Sequence, residues 1–139
     1  MHPDTLRELT NELWSQLSLT ATPAEPARRS APGFVGTVMV DGPRRGALEV
    51  HLSERLARTA VAALNREEPT DDLALFDGVS ELLALVIAAM RRRLPPRSRL
   101  SEPVVALASQ VGTATGPHSL HLRSGGELLV VAWRGALAA

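Results

Sequence analysis

The stretch from Thr70 to Leu94 constrains this chain more than any other. Thr70 or Asp71 can cap a helix there, and no proline interrupts the run until Pro95-Pro96 ends it. Phe76, Val79, Leu83, Val86, Met90 and Leu94 recur at spacings of three and four, which makes them one buried stripe. Asp77, Glu81, Ala84 and Ala88 follow a second stripe, spaced four, three and four. Arg91, Arg92 and Arg93 crowd the last turn, where cations complement the negative end of the helix dipole. The most apolar part, Val79 to Met90, is interrupted by Ser80 and Glu81 and reads as too short to span a bilayer.

The segments around this helix say what it packs on. Leu6, Leu9, Leu13 and Leu17, with Trp14 beside them, predict an amphipathic helix over about Pro3 to Leu17. Pro3 suits a first turn, and Asp4 complements the positive helix end. Residues 20–33 hold Pro23, Pro26 and Pro32 with Arg28 and Arg29, and read as an extended, solvated connection. Phe34 to Val40 is β-branched and apolar until Asp41-Gly42-Pro43 breaks it. Ala47 to Leu52 alternates, with Leu48, Val50 and Leu52 on one face and Glu49 and His51 on a wetter one. Ser53 then caps a helix whose stripe is Leu56, Ala60 and Leu64, and the polar run Asn65 to Thr70 ends it. Val104 to Ala108, His118 to Arg123 and Glu127 to Trp133 read as strands, the last two joined by a turn at Ser124-Gly125-Gly126.

Strands and helices come in blocks rather than in strict alternation. The expected class is α+β, a mainly antiparallel sheet with about three helices in the order α-β-β-α-α-β-β-β. The expected organisation is one domain over residues 1–139: an N-terminal helix at 1–19, the Pro-rich connection at 20–33 and a main body at 34–139. A chain of 139 residues can bury roughly 70% of the surface its unfolded form exposes. Trp14, Phe34, Phe76 and Trp133 are its only aromatic residues, so Leu, Val and Ala must build the core.

Composition then removes whole classes of function. Fifteen basic residues balance fifteen acidic ones, which argues against a dedicated nucleic-acid binder. All fifteen are Arg, so lysine Schiff bases and P-loop lysines are excluded. The absence of cysteine excludes thiolate chemistry and disulfides and fits a reducing cytoplasm. The start Met1-His2-Pro3-Asp4 lacks the pattern of a signal peptide, so a soluble, cytoplasmic protein is expected. His118 and His121 fall on opposite faces of a strand with no carboxylate cluster beside them, so neither a metal nor another cofactor is expected. Asp71-Asp72 reads as a helix start rather than a Mg²⁺ pair, and Ser53 as a cap rather than a nucleophile.

Three segments, Phe34 to Gly42 with Gly46 to Ala57, Asp77 to Ala84, and Leu100 to Val105, together resemble the CheX/CheC/FliY chemotaxis phosphatases. The first is the block Phe34 to Gly42 followed by Gly46 to Ala57, like that family's glycine-bearing strand, second strand ending in Ser and Leu-Ala helix. The second is Asp77 to Ala84, against a helix reading roughly Asp-Ala-x-Gly-Glu-x-x-Asn. The third is Leu100-Ser101-Glu102-Pro103-Val104-Val105, similar to a Leu-Ser-x-Pro-x-Val strand entry. The resemblance implies docking on a CheY-like receiver domain and hydrolysis of its aspartyl-phosphate. It gives the Glu a pairing role toward the receiver's Lys and the Asn amide the task of orienting the attacking water.

Carried over, Glu81 keeps the docking position, Asp77 opens the motif and Ser80 replaces a Gly. Ala84 stands at the Asn position, and a methyl group cannot hydrogen-bond water. Losing one such group costs roughly 10²–10³ in rate. No amide elsewhere in the motif replaces it: Asn65 and Gln110 lie in distant segments of the sequence, and Asn11 and Gln16 in the first helix. The expectation is a receiver-docking face formed by Asp77, Ser80, Glu81, Ala84 and Ala88, with weak or no phosphatase activity. The alternative is a working phosphatase with an altered water-positioning residue. The resemblance also implies a homodimer through a sheet edge, for which Leu128 to Trp133 is the candidate strand.

Overall fold

The computed structural model describes residues 1–26, 31–112 and 118–135. Arg28 and Arg29 lie outside the described residues. Among these residues three helices, α1 (Pro3–Gln16), α2 (Glu54–Asn65) and α3 (Asp72–Arg91), pack on one seven-stranded antiparallel sheet. The strands are β1 (Thr22–Pro23), β2 (Ala31–Asp41), β3 (Gly46–Ser53), β4 (Arg99–Leu100), β5 (Val104–Val111), β6 (Ser119–Ser124) and β7 (Glu127–Gly135). Their order across the sheet is β1-β6-β7-β3-β2-β4, with β5 also paired to β2. This is the expected α+β order with two short strands added.

Both additions sit where proline punctuation suggested only loops. Thr22 and Pro23 pair with Arg123 and Leu122, and β2 already begins at Ala31, inside the stretch read as a connection. β1 lies at one sheet edge, the place where a proline that cannot donate to a ladder is tolerated. Trp14 fastens α1 above this region. Its indole N–H donates to Ser124 Oγ at 2.9 Å, and that hydroxyl donates to the Thr20 carbonyl at 2.7 Å.

The core lies between the helices and one face of the sheet. Leu6, Leu9 and Leu13 of α1, Leu56 and Ala60 of α2, and Leu48, Val50 and Leu52 of β3 are all buried in it. Each fully buried leucine contributes about 1.5–3 kcal/mol of transfer free energy. Leu64 is only partly buried against this cluster.

The opposite sheet face departs from the alternation rule. His51 is 7% exposed, and the Glu49 side chain is nearly as covered. Both were expected on a wet face. Beside them on this face lie buried residues of β7, with His51 opposite Val130 and Glu49 opposite Ala132. Leu128, Val130 and Ala132 of β7 form a second small core on this face, and Gly112 lies against Leu128 where the chain leaves β5. Glu49 is nevertheless satisfied, because one carboxylate oxygen meets His51 Nε2 at 3.1 Å and the other meets Arg134 Nε.

The same sheet order moves the edge. Leu128 to Trp133 lies in β7, hydrogen-bonded on both sides by β6 and β3, so it is not an edge strand. β5 holds that place, paired among the described residues only with β2 and carrying Leu107 at 75% and Val104 at 63% exposure.

Candidate functional site

The candidate site is the outer face of α3, and its framing starts at the helix cap. Asp71 accepts from the Ala74 N–H at 2.7 Å, which starts the helix at Asp72 and leaves Thr70 outside it. Regular helix ends at Arg91. Arg93 and Leu94 add a last bonded turn on the Met90 carbonyl before the prolines. Val79, Leu83, Val86 and Met90 are buried as the spacing required, while Phe76 and Leu94 are only partly buried. Leu75, Leu82 and Ala89 are buried as well, so the apolar stripe is wider than one residue in three or four.

At 20 residues, with an 18-residue window of mean hydropathy 2.0, α3 is long and apolar enough by composition to cross a membrane, unlike the shorter run considered above. In this fold its apolar stripe is taken up by the sheet and the other helices.

Two close approaches fix its pose. A Cβ on Gly36 of β2 would stand 2.7 Å from the Leu83 side chain, so α3 rests directly on strand backbone. A Cβ on Gly78 would stand 2.4 Å from Val61, so α2 is seated equally close on its flank.

With that pose set, Asp77, Glu81, Ala84 and Ala88 all face solvent. Ser80 is half-buried, and its hydroxyl donates to the Phe76 carbonyl at 3.3 Å, which leaves it turned into its own helix. Glu81 makes no hydrogen bond or ion pair among the described residues. Its carboxylate is an uncommitted acceptor one turn from the Ala84 methyl. α3 contains no Asn or Gln, so no amide on this helix can hold a water there.

The exposed stripe extends past the five residues the motif suggested. Leu73, 69% exposed, continues it toward the N-terminus, and exposed Arg91 continues it toward the C-terminus. Continuing the three-four spacing beyond Asp77 and Ala88 would have found both. The surface therefore runs from an apolar contact through two carboxylates, Asp77 and Glu81, and two small residues to a guanidinium. Among the described residues no three His, Asp or Glu gather as a metal-ligand set.

No family model matches this sequence, and no curated protein does. Solved structures do match in fold. A CheX chemotaxis protein from Desulfovibrio desulfuricans superposes with a TM-score of 0.76 at 14% identity, over 96% of this chain and 97% of its own. CheX from Vibrio vulnificus gives 0.74 at 21% identity, over 95% and 93%. The CheX-CheY-BeF3-Mg²⁺ complex from Borrelia burgdorferi contains a match at 0.71 and 14% identity, over 97% of both chains. The chain has a CheX-like fold.

Proposed function

On that fold, we propose that this protein docks a CheY-like receiver domain through the Asp77, Ser80, Glu81, Ala84 and Ala88 face of α3, with little or no phosphatase activity. The observation that carries the reading is Glu81, exposed at mid-helix and free of internal partners among the described residues, beside a methyl group at Ala84. A fold shared with a CheX solved bound to CheY supports the choice of partner.

A receiver brings its own metal and phosphoryl pocket, so a phosphatase of this design need only place a water in line with the phosphorus. Glu81 can pair with a receiver cation across the interface, while Ala84 offers the water nothing. Docking survives and chemistry fails. We further take residues 1–139 as one domain, cytoplasmic like the receiver it would meet, and self-associating through the exposed strand β5.

The test uses a receiver from the same organism, phosphorylated or carrying beryllofluoride. Binding is expected, with dephosphorylation near the receiver's own rate, and Ala84→Asn should raise that rate by about 10²-fold. A wild-type protein that already speeds the reaction tenfold or more would instead make it a working phosphatase. Unchanged receiver affinity in Glu81→Ala would remove this face as the docking surface.

A further inference from the structure

The three arginines that close α3 divide into two roles. Arg92 Nη2 and Arg93 Nη1 each donate to one carboxylate oxygen of Glu12, at 2.6 and 3.1 Å, which ties α3 to α1. Arg91 makes no ion pair among the described residues. It lines a cleft of about 440 Å³ between the end of α3 and β4. Arg91, Ser98 and Arg99 form the polar part of that cleft, and Leu94, Pro95, Pro96 and Leu100 the apolar part.

Arg99 makes no hydrogen bond or ion pair among the described residues, although its charge helps hold the Asp41 carboxyl below its ordinary value. The carboxylate opposite it, Asp41, is its cross-strand neighbour, but Asp41 accepts from Arg45 Nε at 2.9 Å. Ser98 completes the set. Its N–H donates to the Pro95 carbonyl at 3.0 Å, so the turn is held, yet its hydroxyl is buried with no hydrogen-bond partner among the described residues. A buried hydroxyl left unpaired costs about 1–3 kcal/mol, and native structures usually supply an acceptor. Two guanidiniums lining the same cleft as this serine suit an oxyanion, which can accept from all three. The rigid proline and leucine walls suit an apolar body, and the volume is in the range of small-ligand sites, about 300–1,000 Å³.

We propose that this cleft binds a small organic oxyanion, a carboxylate or phosphate monoester on a short apolar body, held by Arg91, Arg99 and Ser98. The assignment does not rest on the receiver reading, and its test contains no receiver. The full chain is titrated with benzoate and with phenyl phosphate while its amide and arginine Nε–H resonances are followed by NMR. Saturable shifts centred on Arg91, Ser98 and Arg99 are expected with at least one of the two, and which one binds tighter separates carboxylate from phosphate.

Arg91→Gln and Arg99→Gln should each weaken binding about tenfold, and Ser98→Ala about threefold, the scale of lost charged and neutral hydrogen bonds. Arg66→Gln, beyond α2, should change nothing, and unshifted resonances elsewhere report that each variant is folded. No saturable shift with either anion would overturn the proposal, as would shifts that persist in the Arg91→Gln/Arg99→Gln double variant. Benzyl alcohol binding as well as benzoate would overturn the oxyanion, and inorganic phosphate matching phenyl phosphate would overturn the organic body.

Discussion

Glu81 and Ala84 are side chains whose identities the sequence states outright, but their presentation depends on two residues that have no side chain. Gly36 lets α3 settle onto β2, and Gly78 lets α2 settle against α3. A methyl at Gly36 would push on the buried Leu83, so Gly36→Ala should cost about 1–3 kcal/mol by overpacking, less a few tenths regained in strand propensity. Chemical denaturation measures this, and Leu83→Ala in the same chain should make the added methyl nearly neutral. An equal penalty in both backgrounds would mean that Gly36 is not the contact that sets the helix height. Reading the motif needed only residue identities and spacing. Reading its support needed to know which strand residue lies beneath which turn, and two glycines in a sequence do not announce that.

Between elements, the pairing of α1 with α3 rests on apolar faces plus one charged clamp. The hydrogen bond from Arg92, helped by the charges of both arginines, holds the Glu12 carboxyl below its ordinary value of 4.5. A depressed carboxylate contributes stability that is present above its unfolded value and is lost as pH falls through its folded one. The midpoint of thermal unfolding should therefore exceed that of Glu12→Gln near neutral pH, and the gap should close as the solution is acidified below about pH 4.5. A gap that stays constant down to pH 2–3 would show that Glu12 is not clamped in solution. The amphipathic stripes of α1 and α3 were legible in their periodicity, because burial on a helix repeats every turn. The clamp was not, since residues 12 and 92 are eighty positions apart and only the packing angle brings them together. Arg91 to Arg93 illustrate the limit: as sequence they are one basic run at a helix end, while in the fold two of them brace α1 and one faces a cleft.

For the whole molecule, the decisive fact is the order of strands rather than their number. β7 is covered on both sides and β5 is left at the edge with Leu107 and Val104 exposed, so self-association is expected there. Light scattering should give the mass of a dimer for the native chain, and Val104→Lys/Leu107→Lys should reduce it to a monomer by placing charge on the edge. A native chain that is already monomeric at micromolar concentration would remove β5 as an interface. Hydrophobicity alone had pointed to Leu128–Trp133, which is apolar because it is central and buried on both faces. The covered His51 and Glu49, where simple alternation predicted water, lie opposite the buried Val130 and Ala132 of β7. By itself the sequence determined the class, the helices, the main strands and the candidate face, since these follow from local periodicity, capping and residue identity. Tertiary structure alone decided which strand is the edge, which polar residues are buried and which of Arg91, Arg92 and Arg93 brace α1, because each depends on partners far apart in the chain.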